Sequence, residues 1–379
     1  MCPDSPDNLE TKASRRVRRS PSVAAITEFL EYLAPSPLAS PEEPYGLQIG
    51  SPTDAVKTAV LAPMPTFDAV STAAAHRNAL LITAAPLITE PMCALRRDDP
   101  IGERVCHLVE RRVALYVLPN SFAAAPGGFD DSLAERLGIA ATSVLRPTAY
   151  EQLLKIAVPT PPERADAVMQ AAAEAGAGHI GKYSHCSFQI PGTGTFLPCE
   201  GARPAIGEIG KLERTPEIRI EMVVQQRELQ GVIAAILDAH PYEEVAYDVY
   251  ALSNPGTPYG RGRIGELPLN VSLNTVLAQV QDALGVKSIR CSHTPDYPIS
   301  RLAAASGQCD GMVSLAVRAG AGALVVGGAS QQDWMLAEDG TTVLIDVGYA
   351  ASLGPGLQRL RTQLVKTFEP DGVEVVTCA

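Results

Sequence analysis

The chain has 379 residues, and its 31 basic against 42 acidic side chains give a formal net charge of −11. An acidic body repels phosphate backbones unless a local basic stripe offsets it. No such stripe is legible in the part expected to fold, so nucleic acid is not an expected partner. With 46% apolar and 19% charged residues, neither global disorder nor a fibrous repeat fits, and the length supports two or three domains.

The N-terminal residues 1–20 are polar and carry the basic cluster Arg15, Arg16, Arg18 and Arg19. A solvated, disordered tail is expected. Asp4, Asp7 and Glu10 argue against a transit peptide, because such peptides are poor in acids. Ser20-Pro21-Ser22 then supplies an N-cap and a proline at the first helical position. Ile26, Phe29, Leu30 and Leu33 follow at helical spacing, with Pro35 as the stop. The apolar runs 58–62 (TAVLA), 79–83 (ALLIT) and 113–118 (VALYVL) read as strands between helix-like stretches, which is the pattern of α/β layers.

Between Tyr150 and Leu252 the texture changes. Two halves, each reading strand, helix, strand, outline a ferredoxin-like split βαβ unit. Pro159, Pro161 and Pro162 mark the end of its first strand, and Asn254, Pro255, Gly256 and Pro258 its exit. Beyond the exit, strand-like 302–306 (LAAAS), helix-like 311–321 (GMVSLAVRAGA), and the strands 323–328 (ALVVGG) and 341–348 (TTVLIDVG) resume the alternation. The expected architecture is an α/β host with a parallel-rich sheet, built from 21–149 and 253–379 and interrupted by an α+β insert at 150–252. Such an insert is expected to fold on its own.

Eight cysteines lie scattered with no CxxC pair, as expected of reduced thiols. No apolar run approaches 18 residues and no signal-peptide core follows the start. Neither a membrane span nor export is expected, and a cytoplasmic location is.

Several motifs carry a specific resemblance. Tyr45-Gly46-Leu47-Gln48-Ile49-Gly50, Ala125-Pro126-Gly127-Gly128 with 133–138 (LAERLG), Gly262–Leu267 (GRIGEL) and Asp346-Val347-Gly348 together resemble the NGG1-interacting-factor-3-like family, whose members are also named GTP cyclohydrolase 1 type 2 homologues. Lys182–Phe188, Pro191–Pro198, Ile206-Gly207-Glu208 and His240–Asp248 are similar to the PII/CutA-like insert of its longer members. The resemblance runs in order from about residue 22 to 370. It implies homohexameric toroids with two divalent metal ions in each subunit and a metal-dependent hydrolase.

The metal ligands implied by that resemblance are missing. The family's paired histidines fall on Ala84 and Ala85, its aspartate on Ala123, and its C-terminal histidine and glutamate on Tyr349 and Leu353. Methyl and isobutyl groups donate nothing to a metal, and a phenol is a poor substitute for imidazole. No catalytic residue, metal or cofactor is therefore expected, and Trp334 is expected to pack into the emptied cleft.

The remaining polar candidates have competing readings. His240, Tyr242, Glu243 and Glu244 form the richest cluster and, with His185, are the candidate ligand-binding residues. Against this, Glu243 and Glu244 would point to opposite faces of a strand start. His185, Cys186, Cys199 and Glu200 match no zinc spacing. Gly192-Thr193-Gly194 lacks the Lys-Ser/Thr ending of a phosphate cradle and reads as a tight turn. Cys309, near a helix start, has no basic neighbour in sequence to activate it. Three functions stay open: a non-catalytic scaffold or small-ligand-binding protein, a hydrolase with displaced ligands, and a PII/CutA-like sensor acting through the insert.

Overall fold

The structure, a computed structural model, describes residues 20–34, 44–201, 207–294 and 297–378. The Arg15–Arg19 cluster, nearly all of the 1–20 tail, and Pro35 lie outside them. The chain divides into two compact units, one formed by the part up to Arg146 with the part from Gly260 onward, the other by Pro147–Tyr259.

In chain order the elements are α1 (Val23–Leu33), β1 (Gly46–Ile49), β2 (Thr58–Ala62), α2 (Phe67–Ala74), β3 (Ala79–Thr83), α3 (Pro100–Arg111), β4 (Ala114–Val117), α4 (Ser121–Ala124) and α5 (Phe129–Arg136). The long β5 (Ala140–Thr160) leads into α6 (Ala165–Glu174), β6 (Ser187–Phe196), β7 (Glu213–Gln225) and α7 (Leu229–Ala239). The equally long β8 (Asp248–Val271) returns to α8 (Leu273–Leu284), β9 (Arg290–Cys291), β10 (Ile299–Gln308), α9 (Met312–Arg318), β11 (Ala323–Gly328), α10 (Gln331–Glu338), β12 (Val343–Asp346), α11 (Tyr349–Phe368) and β13 (Glu374–Thr377).

The host unit holds two sheets. One runs β1-β4-β3-β2-β13, parallel apart from the β1 edge. In the other, parallel β10, β11 and β12 are flanked by antiparallel β8 and β9. The mainly apolar runs of the sequence become these central strands, since a strand covered on both faces has no solvent-facing side. β2 and β3 are buried at every position.

Local chemistry sets the helix ends. α1 is capped by Ser22, whose hydroxyl accepts from the Ala25 N–H at 3.2 Å, so the cap is not Ser20 and Pro21 precedes it rather than opening the helix. α11 closes the host: Leu353, Leu357, Leu360, Leu364 and Phe368 recur at helical spacing and enter the core beneath the first sheet.

The insert has the order β-α-β-β-α-β, with strands arranged β6-β7-β5-β8. Val168, Ala172, Val232 and Ile236 of its helices pack on Ile156, Val158, Ile220 and Met222 of its sheet. This is the ferredoxin-like sandwich.

Two readings of punctuation are corrected. Residues 191–195 form no turn. They lie inside β6, paired position by position with β7. Pro191 is tolerated because β6 is an edge strand, and Gly194 leaves room for Glu217, whose carboxylate would stand 2.2 Å from any Cβ there. Likewise 254–258 is no exit loop but part of β8, where a Cβ at Gly256 would lie 2.2 Å from the Glu151 carbonyl oxygen. The compact unit that holds the insert runs Pro147–Tyr259, a few residues wider at each end than 150–252.

The contact between α11 and α5 depends on one glycine. A Cβ on Gly356 would fall 2.2 Å from Phe129 Cδ1 and 3.0 Å from its Cα, whereas Gly354 faces open space. Gly356→Ala is expected to destabilise the protein by about 1–3 kcal/mol through overpacking, and Gly354→Ala to stabilise it by up to about 1 kcal/mol through helix propensity. Urea unfolding of the two variants measures both, and equal effects would contradict this packing.

Candidate functional site

The site begins with two acids in the first turn of α5. Asp130 is fully buried. Its Oδ1 accepts from the Ser306 N–H (2.7 Å) and hydroxyl (2.5 Å), and its Oδ2 from the Gly262 N–H (2.6 Å) and Arg261 Nε (3.1 Å). One carboxylate thus joins α5 to β8 and β10. Next to it, Asp131 takes the Gly127 N–H (2.6 Å) and pairs with Arg263, whose Nη1 donates to the Gly260 and Gly262 carbonyls at 2.8 and 2.9 Å. Charges out of water persist only when paired and hydrogen-bonded, and here they are.

This framework fixes Arg261 on the wall of a cavity of ≈ 450 Å³ within the host unit. The cavity opens beyond the C-terminal ends of β3, β4 and β10, where α/β folds place their ligands. Its polar wall carries Asn120, Gln308 and Asp310 besides Arg261, and its apolar wall includes Leu118 and Phe129. Ala84, Ala123, Tyr349 and Leu353 line the same cavity. Four of the five positions implied as metal ligands are therefore brought together, and Ala85 follows Ala84 at the end of β3, its N–H bonded to the Pro63 carbonyl.

What occupies those positions is core material. Ala123 and Leu353 are buried in the cluster containing Phe122, Phe129 and Leu357, and Ala84 and Tyr349 pack against it. Burial raises the Tyr349 pKa, with nearby Arg261 opposing and Asp310 reinforcing the shift. The phenol stays protonated and is a weak metal donor. Two divalent ions need several imidazole and carboxylate donors, so the residues present do not fit them. Among the described residues, no group of three or more His, Cys, Asp or Glu side chains is arranged to hold a metal.

Trp334 does not fill this cleft. It packs with Met312, Val313 and Ala337 in a separate core, its ring under the Arg290 guanidinium at 4.0 Å. Cys309 is buried in the same core, and burial pushes its thiol up to about 12, so it is no nucleophile at neutral pH.

In the insert, His240 caps the C-terminal end of α7. Its Nδ1 accepts from the Tyr242 N–H (3.2 Å), so Nε2 carries the proton and donates to the Pro159 carbonyl at 3.1 Å. Both nitrogens are engaged in holding the turn. The Tyr242 hydroxyl donates to Glu217 (3.1 Å), while Glu243 and Glu244 are exposed. His185 is exposed, with φ +60° and a bond to the Ser184 hydroxyl (3.0 Å). Of these five, His240 and Tyr242 are brought together, their rings 4.9 Å apart.

An α/β host with two parallel-cored sheets, a cleft at the strand ends and a ferredoxin-like unit within the chain defines a class of interrupted α/β proteins. The family model described as Duf34/NIF3 (NGG1p interacting factor 3) matches residues 21–379, and the chain belongs to that family. It is 35% identical to the GTP cyclohydrolase 1 type 2 homolog of Bacillus subtilis over 303 residues, covering 80% of this chain and 81% of that one. It is 37% identical to the homolog of Mycobacterium leprae over 303 residues, covering 78% and 77%. The crystal structure of a Bacillus cereus protein related to NIF3 superposes with a TM-score of 0.81 at 33% identity over 94% of this chain and 96% of that one.

Two measurements check this geometry. Asp130→Asn leaves buried donors and Arg261 without their carboxylate and is expected to cost about 3–5 kcal/mol in denaturant unfolding. Burial, the largest effect on His240, lowers its pKa from 6.5, with the Pro159 hydrogen bond opposing. A base with a depressed native pKa contributes stability that is full above its unfolded pKa and is lost as pH falls below it. The insert is therefore expected to melt progressively earlier as pH drops below about 6.5, and His240→Gln to flatten that dependence. An Nδ1–H tautomer by nitrogen NMR would contradict the assignment.

Proposed function

We propose that this chain is a family member whose dimetal centre has been dismantled and whose emptied cleft serves a non-catalytic, small-ligand-binding or scaffold role. One observation carries the reading: four positions implied as metal ligands surround one cavity and present methyl, isobutyl and phenol groups. Alkyl groups cannot offset the dehydration of a divalent ion. The cavity retains Asn120, Gln308, Arg261 and Asp310 beside an apolar wall, a mixture suited to a small polar organic molecule. The sensor reading is disfavoured, since His240 is bound to Pro159 and Tyr242.

Assembly does not require metal ligands, so a homohexamer is retained in this proposal, together with a cytoplasmic setting. Among the described residues no helix is long and apolar enough to cross a membrane.

Elemental analysis of the purified protein tests the central point. Far less than one divalent ion per chain is expected. The combined substitution Ala84→His, Ala85→His, Ala123→Asp, Tyr349→His and Leu353→Glu is expected to recover partial binding of zinc or manganese, limited by missing outer-shell partners. Two tightly held ions in the unmodified protein would overturn the proposal and restore the hydrolase reading.

A further inference from the structure

A second cavity of ≈ 680 Å³ lies in the host unit at the opposite, N-terminal ends of β3 and β4. Its floor is apolar and buried, formed by Val23, Val56 and Val113, with Asp54 at its rim. Three arginines line it: Arg77 from the turn between α2 and β3, and Arg111 and Arg112 from the C-terminal end of α3, just before β4. β3 and β4 are parallel neighbours, with Leu80 opposite Ala114. Their register brings two turns that are far apart in sequence to one rim, which is why no basic stripe could be read from the chain itself.

The three guanidiniums are exposed, and none of them makes an ion pair or a side-chain hydrogen bond with another described residue. Asp54 instead accepts the Ser51 N–H at 2.9 Å. Helix α3 ends at this rim, and its C-terminal dipole favours a cation nearby. That accounts for Arg111, in the last turn of α3. It does not account for three like charges around one concavity, which repel one another without a counter-charge. Arg112 also stands at the left-handed C-cap of α3, φ +52°, where glycine is the residue of least strain.

We infer that this cavity binds a small phosphorylated molecule, its phosphate groups held by Arg77, Arg111 and Arg112 and its organic body against Val23 and Val56. Guanidinium groups present paired donors that match phosphate oxygens. The single carboxylate, Asp54, leaves the rim net positive in a protein whose overall charge is −11, so an anion is drawn to this place in preference to the surrounding surface. None of these residues lines the cleft of the proposed function, so the two readings stand or fall separately.

Inorganic pyrophosphate is the probe, titrated into the full-length protein by calorimetry and followed by thermal shift, with sodium chloride at matched ionic strength as the control. Saturable binding is expected, weakened about 3–10-fold by each of Arg77→Gln, Arg111→Gln and Arg112→Gln, and at least 10-fold by the three combined. Arg111→Lys, which keeps the charge but not the fork, is expected to fall between the parent and Arg111→Gln. If the combined variant fails to fold, the single exposed substitutions carry the test. The inference is overturned by any of three results: pyrophosphate stabilising no more than chloride, variants binding like the parent, or duplex DNA competing as strongly as pyrophosphate on a phosphate-for-phosphate basis.

Discussion

The host unit depends on one buried carboxylate. Asp130 gives α5 its attachment to β8 and β10 by accepting four hydrogen bonds, two of them from backbone N–H groups. A carboxylate in the first turn of a helix also meets the positive end of the helix dipole. α5 comes from the N-terminal part of the chain, whereas β10 and the end of β8 that carries Arg261 and Gly262 come from the part after the insert. The two parts of the host are thereby joined through an interaction that tolerates neither loss of charge nor a shift in position.

The cleft inherits its shape from the same joint. Arg261 reaches the cavity wall because Asp130 holds its Nε and the Ser306 carbonyl accepts from its Nη2 at 2.6 Å. Phe129, next in sequence to Asp130, presses on Phe122 at a ring distance of 4.8 Å and fills the space that Gly356 leaves. Ala123 and Leu353 belong to the same apolar core, so this side of the cavity is built by packing.

The fold was legible because its signals are local. Continuous apolar runs such as 58–62, 79–83 and 323–328 are strands β2, β3 and β11, since a doubly covered strand needs no polar face. Punctuation was less reliable: the Pro-Gly segments at 191–195 and 254–258 are paired strand, because tertiary pairing overrides turn preference at an edge and at a close backbone approach. Four of the five positions that the family resemblance singled out line one cavity. Where side chains converge was not legible. Trp334 and the partners of His240 depend on how distant segments meet, and the gathering of Arg77 with Arg111 and Arg112 depends on strand register.

The pairing of β13 with β2 has a consequence for the protein's synthesis. β2 is among the first and β13 the last of the described strands to be made, yet they are parallel neighbours in one sheet, with Val375 opposite Ala59. Ribosomal elongation at about 5–20 residues per second separates their emergence by roughly 15–60 s. During that interval one edge of β2, whose every residue is buried in the finished fold, has no partner, and α11, whose leucines complete the core beneath the sheet, is made only near its end. The insert, whose strands all lie between, is complete well before the host can close. Unpaired strand edges recruit other chains, so the nascent host is exposed to such pairing until β13 has been made.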